Sequence, residues 1–225
     1  MKRLLVLLVV VGAMVLTSAV VVNAQSQKER QEALKQRKDE LNKKSSKAAR
    51  NEAKKFVKEG WLVSPGALPL DKQLDRSYLM QLEWDESGLY PKYFMSEAMS
   101  IGENYDAAKL QALELAKQNL AGQIQTEVIA LIENTVANKQ LAAEQAASIT
   151  ESVMASKNLI SQSIGRVIPV VEAYRTKSDK NKEVLVRIAY NSQVAMEKAK
   201  KAIRQDLEEK GKDLHEQLDA VLGVE

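Results

Sequence analysis

The chain has 225 residues, with 33 Lys and Arg, 30 Asp and Glu, one His, no Cys and a formal net charge of +3. That length suits one domain better than two, and 45% apolar with 28% charged residues marks a folded chain whose core, at 4% aromatic, is mostly aliphatic. The missing Cys excludes disulfide scaffolds, thiol nucleophiles, Cys-bound zinc and lipidation at a cysteine, and His215 alone cannot build most triads or a His-based metal cluster.

Lys2 and Arg3 precede an almost unbroken apolar run from Leu4 to Val22, and Val22-Asn23-Ala24 has the small-x-small pattern of a cleavage site. The pattern predicts a signal peptide over residues 1–24, cut between Ala24 and Gln25. The alternative is an uncleaved inner-membrane anchor, because 19 helical residues span about 28 Å, close to a bilayer core. Either way the rest of the chain is expected outside the cytoplasm, periplasmic or associated with the outer envelope. Nucleic acid is therefore not an expected partner.

Charge is unevenly spread. Residues 25–58 hold 12 Lys and Arg against 5 Asp and Glu, a net of +7, and residues 59–225 hold 19 against 25, a net of −6. The basic arm, 25–58, has no Pro or Gly and favours helix. Its heptad register, Leu34, Leu41 and Ala48, ends at Lys55 and is too short for a coiled coil. Such an arm suits an anionic lipid or envelope surface, each cation near it contributing about 1 kcal/mol, or it is a solvated helix that orders against the body.

From Gly60 to Leu70 two of the four prolines and two glycines mark a connector, 59–77, whose Trp61 and leucines should dock on the body. The domain proper is expected over 78–225. Tyr78 to Trp84 and Tyr90 to Met99, joined by Asp85-Glu86-Ser87-Gly88, suggest a first hairpin. Leu113, Ala116, Leu120, Ile124, Val128 and Leu131 then keep a spacing of three and four, which predicts a long helix capped by Asn104 or Asp106. A break near Asn134 to Asn138 leads to a second, Ala-rich helix over Lys139 to Leu159.

Arg166 to Thr176 and Glu183 to Asn191 form the best β pattern, a second antiparallel hairpin turning through Ser178-Asp179-Lys180-Asn181, with Pro169 at an edge or strand start. Met196, Ala199, Ile203, Leu207, Leu214, Leu218 and Val221 predict one final helix, weakened at Gly211, its end free to protrude or to pair with a partner. The expected fold is α+β: an antiparallel sheet of two hairpins packed by two to three helices, after a signal peptide and a basic helix.

The strand ending near Met95-Ser96-Glu97-Ala98-Met99, the run Asn104-Tyr105-Asp106-Ala107-Ala108 leading into an Ala/Leu helix, and the later hairpin together resemble the Lpp-twenty family of bacterial envelope lipoproteins. That family's fold is similar to the amino-terminal domain of a flagellar basal-body assembly protein. The resemblance covers about Tyr90 to Ala195 and implies an envelope domain without known catalysis. The arm and connector resemble those of exported proteins of the Bacteroides group. Lipid anchoring is not implied, because Ala24-Gln25 stands where lipoproteins of the family carry a Cys.

No cofactor, metal or catalytic residue is expected. His215 reads as a solvated or rim histidine. Arg166, Arg175 and Arg187, from paired strands, form a candidate surface for an anionic partner, against pairing with Glu172 and Glu183 across the hairpin. Asp85, Glu86 and Glu97 around the first turn leave open a carboxylate-based hydrolase. The expectation is a non-enzymatic exported envelope protein that binds a protein partner or an anionic surface, its oligomeric state open. The alternative is a glycan- or ligand-binding domain with carboxylate hydrolase activity, which a deep pocket lined by paired carboxylates would favour.

Overall fold

The structure, a computed structural model, describes residues 32, 35, 39, 42–85, 88, 91–138, 141–165, 167, 169–210 and 214–222. The signal peptide, its cleavage site at Ala24 and Gln25, and Arg166 lie outside them. The chain divides into two units, Met1–Lys44 and Ser45–Glu225. In the first, Glu32, Lys35, Asp39 and Asn42 are helical and exposed. Every element named below belongs to the second.

That unit is α+β. Helices α1 (Lys47–Lys58) and α2 (Leu70–Leu82) precede strand β1 (Tyr93–Gly102). Helices α3 (Tyr105–Ala137), α4 (Ala143–Ala155) and α5 (Lys157–Ile164) follow, then strands β2 (Pro169–Thr176) and β3 (Lys182–Asn191). Helices α6 (Ser192–Glu209) and α7 (His215–Leu222) complete it. The sheet is antiparallel in the order β1-β3-β2. Pro169 opens the edge strand β2, where its missing N–H costs no ladder bond.

Among the described strands β2–β3 is the hairpin, and the expected first hairpin is reduced to an isolated antiparallel bridge between Trp84 and Pro91 across the expected turn. Tyr78 to Leu82 are the end of α2, and β1 pairs with β3 from far along the chain, Ser96 opposite Ile188 and Ala98 opposite Val186. The stripe that α2 buries is Leu70, Gln73, Leu74 and Ser77. Half of it is polar, so the helical period carries little apolar signal. Gln73 and Ser77 tolerate burial because both reach the sheet: Gln73 Oε1 accepts from the Glu172 N–H at 2.7 Å, and Ser77 Oγ accepts from Arg187 Nη1 at 3.0 Å.

The inner face of the sheet packs on α3. Ala108, Ala112 and Ala116 are fully buried and small enough to bring the helix close to Val184, Val186 and Ile188. Asn104 caps the helix, accepting from the Ala107 N–H at 2.9 Å. At about 1.5 Å per residue the 33-residue α3 reaches about 50 Å, longer than a strand of ten residues at about 3.4 Å each. Its second half, Ile124, Val128 and Ile132, therefore overhangs the sheet and packs with Ile149, Val153, Ile160, Ile203, Leu207 and Leu218 of the other helices.

The outer face is covered by α1, the connector and α2, where Ala49, Ala53, Trp61, Leu70 and Leu74 meet Val171, Ala173 and Leu185. Trp61 docks as expected, 3% exposed, whereas Leu62 and Leu68 stay exposed. The body also reaches upstream of the composition shift. Ser45 Oγ donates to Asp71 and the Ser46 N–H to Asp75, so the acids at the start of α2 hold the N-terminus of α1.

The single long terminal helix is corrected as well. Arg204 Nη2 lies 2.8 Å from Asp219 Oδ1, yet 15 residues of straight helix would part them by about 22 Å. The chain turns back between α6 and α7, and Leu218 is fully buried instead of protruding.

Candidate functional site

The two edges of the sheet are treated differently. On β2 the Tyr174 N–H and C=O pair with Leu62 at 2.8 and 2.7 Å, and the Glu172 N–H is taken by Gln73. Even-numbered residues of β2 thus face outward, so its odd ones pair with Glu183, Leu185 and Arg187 of β3. The even residues of β3 are left for the even residues of β1. Met95, Glu97, Met99 and Ile101 therefore turn their backbone groups to the free edge of β1. Asn119 of α3 donates to the Glu97 carbonyl at 3.2 Å; no other described residue pairs with these groups.

Beside that edge, Gln111 of α3 accepts from Ser100 Oγ at 2.6 Å. Gln111, Leu115 and Asn119 are one helical turn apart, which sets Leu115, 42% exposed, as a wall over the edge. On the other side stand Met99, 53% exposed, and Ile101, 46% exposed. Chemically the arrangement offers backbone donors and acceptors between apolar walls, the setting in which an extended segment adds as a further strand.

Two of the candidate arginines, Arg175 and Arg187, are engaged elsewhere. Arg175 lies opposite Glu183, its Nε 2.6 Å from Oε2, with its guanidinium 4.6 Å from the Trp61 ring centroid. Arg187 reaches Glu97 Oε2 at 2.7 Å as well as Ser77. Both sit on the outer sheet face and brace the connector and α2. Glu172 instead serves Lys109 Nζ at 2.9 Å and accepts from the Tyr105 hydroxyl, which in turn accepts from Ser64 Oγ at 2.8 Å. Burial, then the bond to Glu172, pushes the Tyr105 phenol above its ordinary value. A phenol held protonated in this way is a clamp between connector, α3 and β2, not a proton acceptor at neutral pH.

A cavity of about 440 Å³ opens at the other end of β1, between α3, α6 and α7. Phe94, Leu131, Met196 and Leu222 supply apolar wall, and Asp85 and Glu127 are its carboxylates. Of the three acids nominated from sequence, Asp85 lines it, Glu97 does not, and Glu86 lies outside the described residues. Glu127 carried a faint signal, an acid flanking the stripe residues Ile124, Val128 and Leu131. The His215 side chain also lies outside the described residues. Among them no three acids or histidines converge to hold a metal, and no helix is long and apolar enough to cross a membrane. Compared with family models, curated proteins and solved structures, the chain matches none of them.

Proposed function

We propose that the chain is an exported, non-enzymatic protein of the bacterial cell envelope, akin to the Lpp-twenty family, that works by taking an extended segment of another envelope protein as a fourth strand on β1. The observation that carries the reading is the contrast between the two sheet edges. β2 is closed by Leu62 and Gln73, while β1 keeps outward backbone groups between Leu115, Met99 and Ile101. The leader supports export. The order of strand, long helix and hairpin on which the resemblance rests is present. The basic segment upstream of Ser45 is the part suited to an anionic membrane or envelope surface.

The test is in-cell photo-crosslinking of the full chain from a probe placed at Ile101, with and without Met99→Pro. Met99 turns its N–H outward, so proline there removes an edge donor and blocks strand addition without touching the ladder to β3. A matched unfolding midpoint confirms that the variant folds. The expected result is a crosslink to an envelope protein that Met99→Pro abolishes. A product of twice the chain mass only, no product, or a crosslink indifferent to Met99→Pro would overturn the strand-edge reading. Recovery of the chain in the cytoplasmic fraction would overturn export.

A further inference from the structure

The cavity between α3, α6 and α7 lies apart from the strand edge, and its chemistry specifies a ligand. At about 440 Å³ it falls within the range of about 300–1,000 Å³ usual for small-molecule sites, and like them it is mainly apolar with a few polar groups. Of those polar groups Gln193 is exposed to solvent, and the other three are not equivalent. Ser192 Oγ is used, donating to the Pro91 carbonyl at 2.7 Å, and Asp85 already has a partner. Glu127 is half-buried beside Leu131 and makes no hydrogen bond or ion pair with any described residue. Among the described residues no Lys or Arg lines the cavity. The first turn of α6, which could attract an anion, is capped by Asn191, which accepts from the Val194 N–H at 3.0 Å.

Each ligand class then meets a different fate. An anion would face two carboxylates and, among the described residues, no cation. A neutral hydrocarbon would fill the apolar walls but strip water from Glu127 without replacing its hydrogen bonds. A fully polar ligand would leave Phe94, Met196 and Leu222 unmatched. We propose that the cavity binds a small amphipathic cation, its apolar body against Phe94, Leu131, Met196 and Leu222 and its ammonium on the Glu127 carboxylate. The assignment stands whether or not β1 takes a partner strand, and it gives the ligand-binding alternative a chemical class.

Octylammonium is the probe, with octanol and octanoate as controls, titrated into the mature chain below their aggregation concentrations. Calorimetry and amide chemical-shift mapping give the readout. Octylammonium is expected to bind and to shift resonances around Phe94, Leu131, Met196 and Leu222, with octanol weaker and octanoate silent. Glu127→Gln should weaken octylammonium about tenfold or more, the usual loss for a charge-assisted hydrogen bond, and leave octanol unchanged. Met196→Trp should fill the cavity and abolish both. If that variant fails to fold, Glu127→Gln with a wild-type unfolding midpoint decides alone. Equal affinity of octylammonium for the wild type and Glu127→Gln, shifts scattered away from the lining, or preference for octanoate would overturn the proposal.

Discussion

Tyr105, Lys109 and Glu172 couple three parts of the body through side chains alone. Burial acts first on Tyr105 and raises its phenol above 10.0, and the bond to Glu172 adds to this while Ser64 opposes it. For Lys109 burial pulls the ammonium down, but the hydrogen bond and charge of Glu172 outweigh it and the net shift is upward from 10.5. Both groups hold their protons more tightly folded than unfolded. Their contribution to stability is therefore complete below about pH 10 and lost as pH rises through the folded values. Half-buried Tyr190, raised by its burial, shares that direction. Urea midpoints measured from about pH 8 to about pH 11 should fall above pH 10 and fall less steeply in Tyr105→Phe; parallel slopes would remove Tyr105 from the account.

Elements differ in how legibly the sequence wrote them. Helix α3 and the β2–β3 hairpin were readable because their buried positions are apolar and regularly spaced, as in Leu120, Ile124 and Val128 or Val184, Val186 and Ile188. Helix α2 was not, because Gln73 and Ser77 occupy its buried face and are satisfied by β2 and β3, partners that local spacing cannot reveal. The edge site was illegible for the same reason: which strand keeps a free edge depends on β1 joining β3 across the whole helical insertion. The turn between α6 and α7 was hidden because an apolar stripe continues through it. Asp219 holds α7 back on α6 through Lys200 at 3.0 Å and Arg204. Burial raises the Asp219 carboxyl, but the hydrogen bonds and charges of Lys200 and Arg204 together outweigh it and its value is lowered from 3.8. Its contribution is present above that value and lost as pH falls through the folded one. Asp219→Asn should speed amide exchange in α7 at neutral pH, with little effect on β3; unchanged exchange would show that Leu218 packing alone seats the helix.

In the second unit as a whole, the sheet separates two cores. Val184, Val186 and Ile188 belong to the inner one, and Leu185, Val171 and Ala173 to the outer, so β3 alternates between them residue by residue. Neither layer can leave without exposing one face of a strand that the other needs. Tyr105 of the inner helix, bonded to Ser64 of the connector and to Glu172 of β2, adds a polar tie across the same boundary. A three-stranded sheet stripped of its outer layer would expose Val171 and Leu185 together with Trp61 and Leu74. The two layers should therefore unfold as one. Leu74 is fully buried in the outer layer, and Leu74→Ala should cost about 2–5 kcal/mol. Because the sheet is shared, that loss should move a single thermal transition, followed both by Trp61 fluorescence in the outer layer and by helical signal dominated by the inner one. Two separated transitions, with only the Trp61 signal displaced, would mean that α1, the connector and α2 are a detachable cover and not half of the fold.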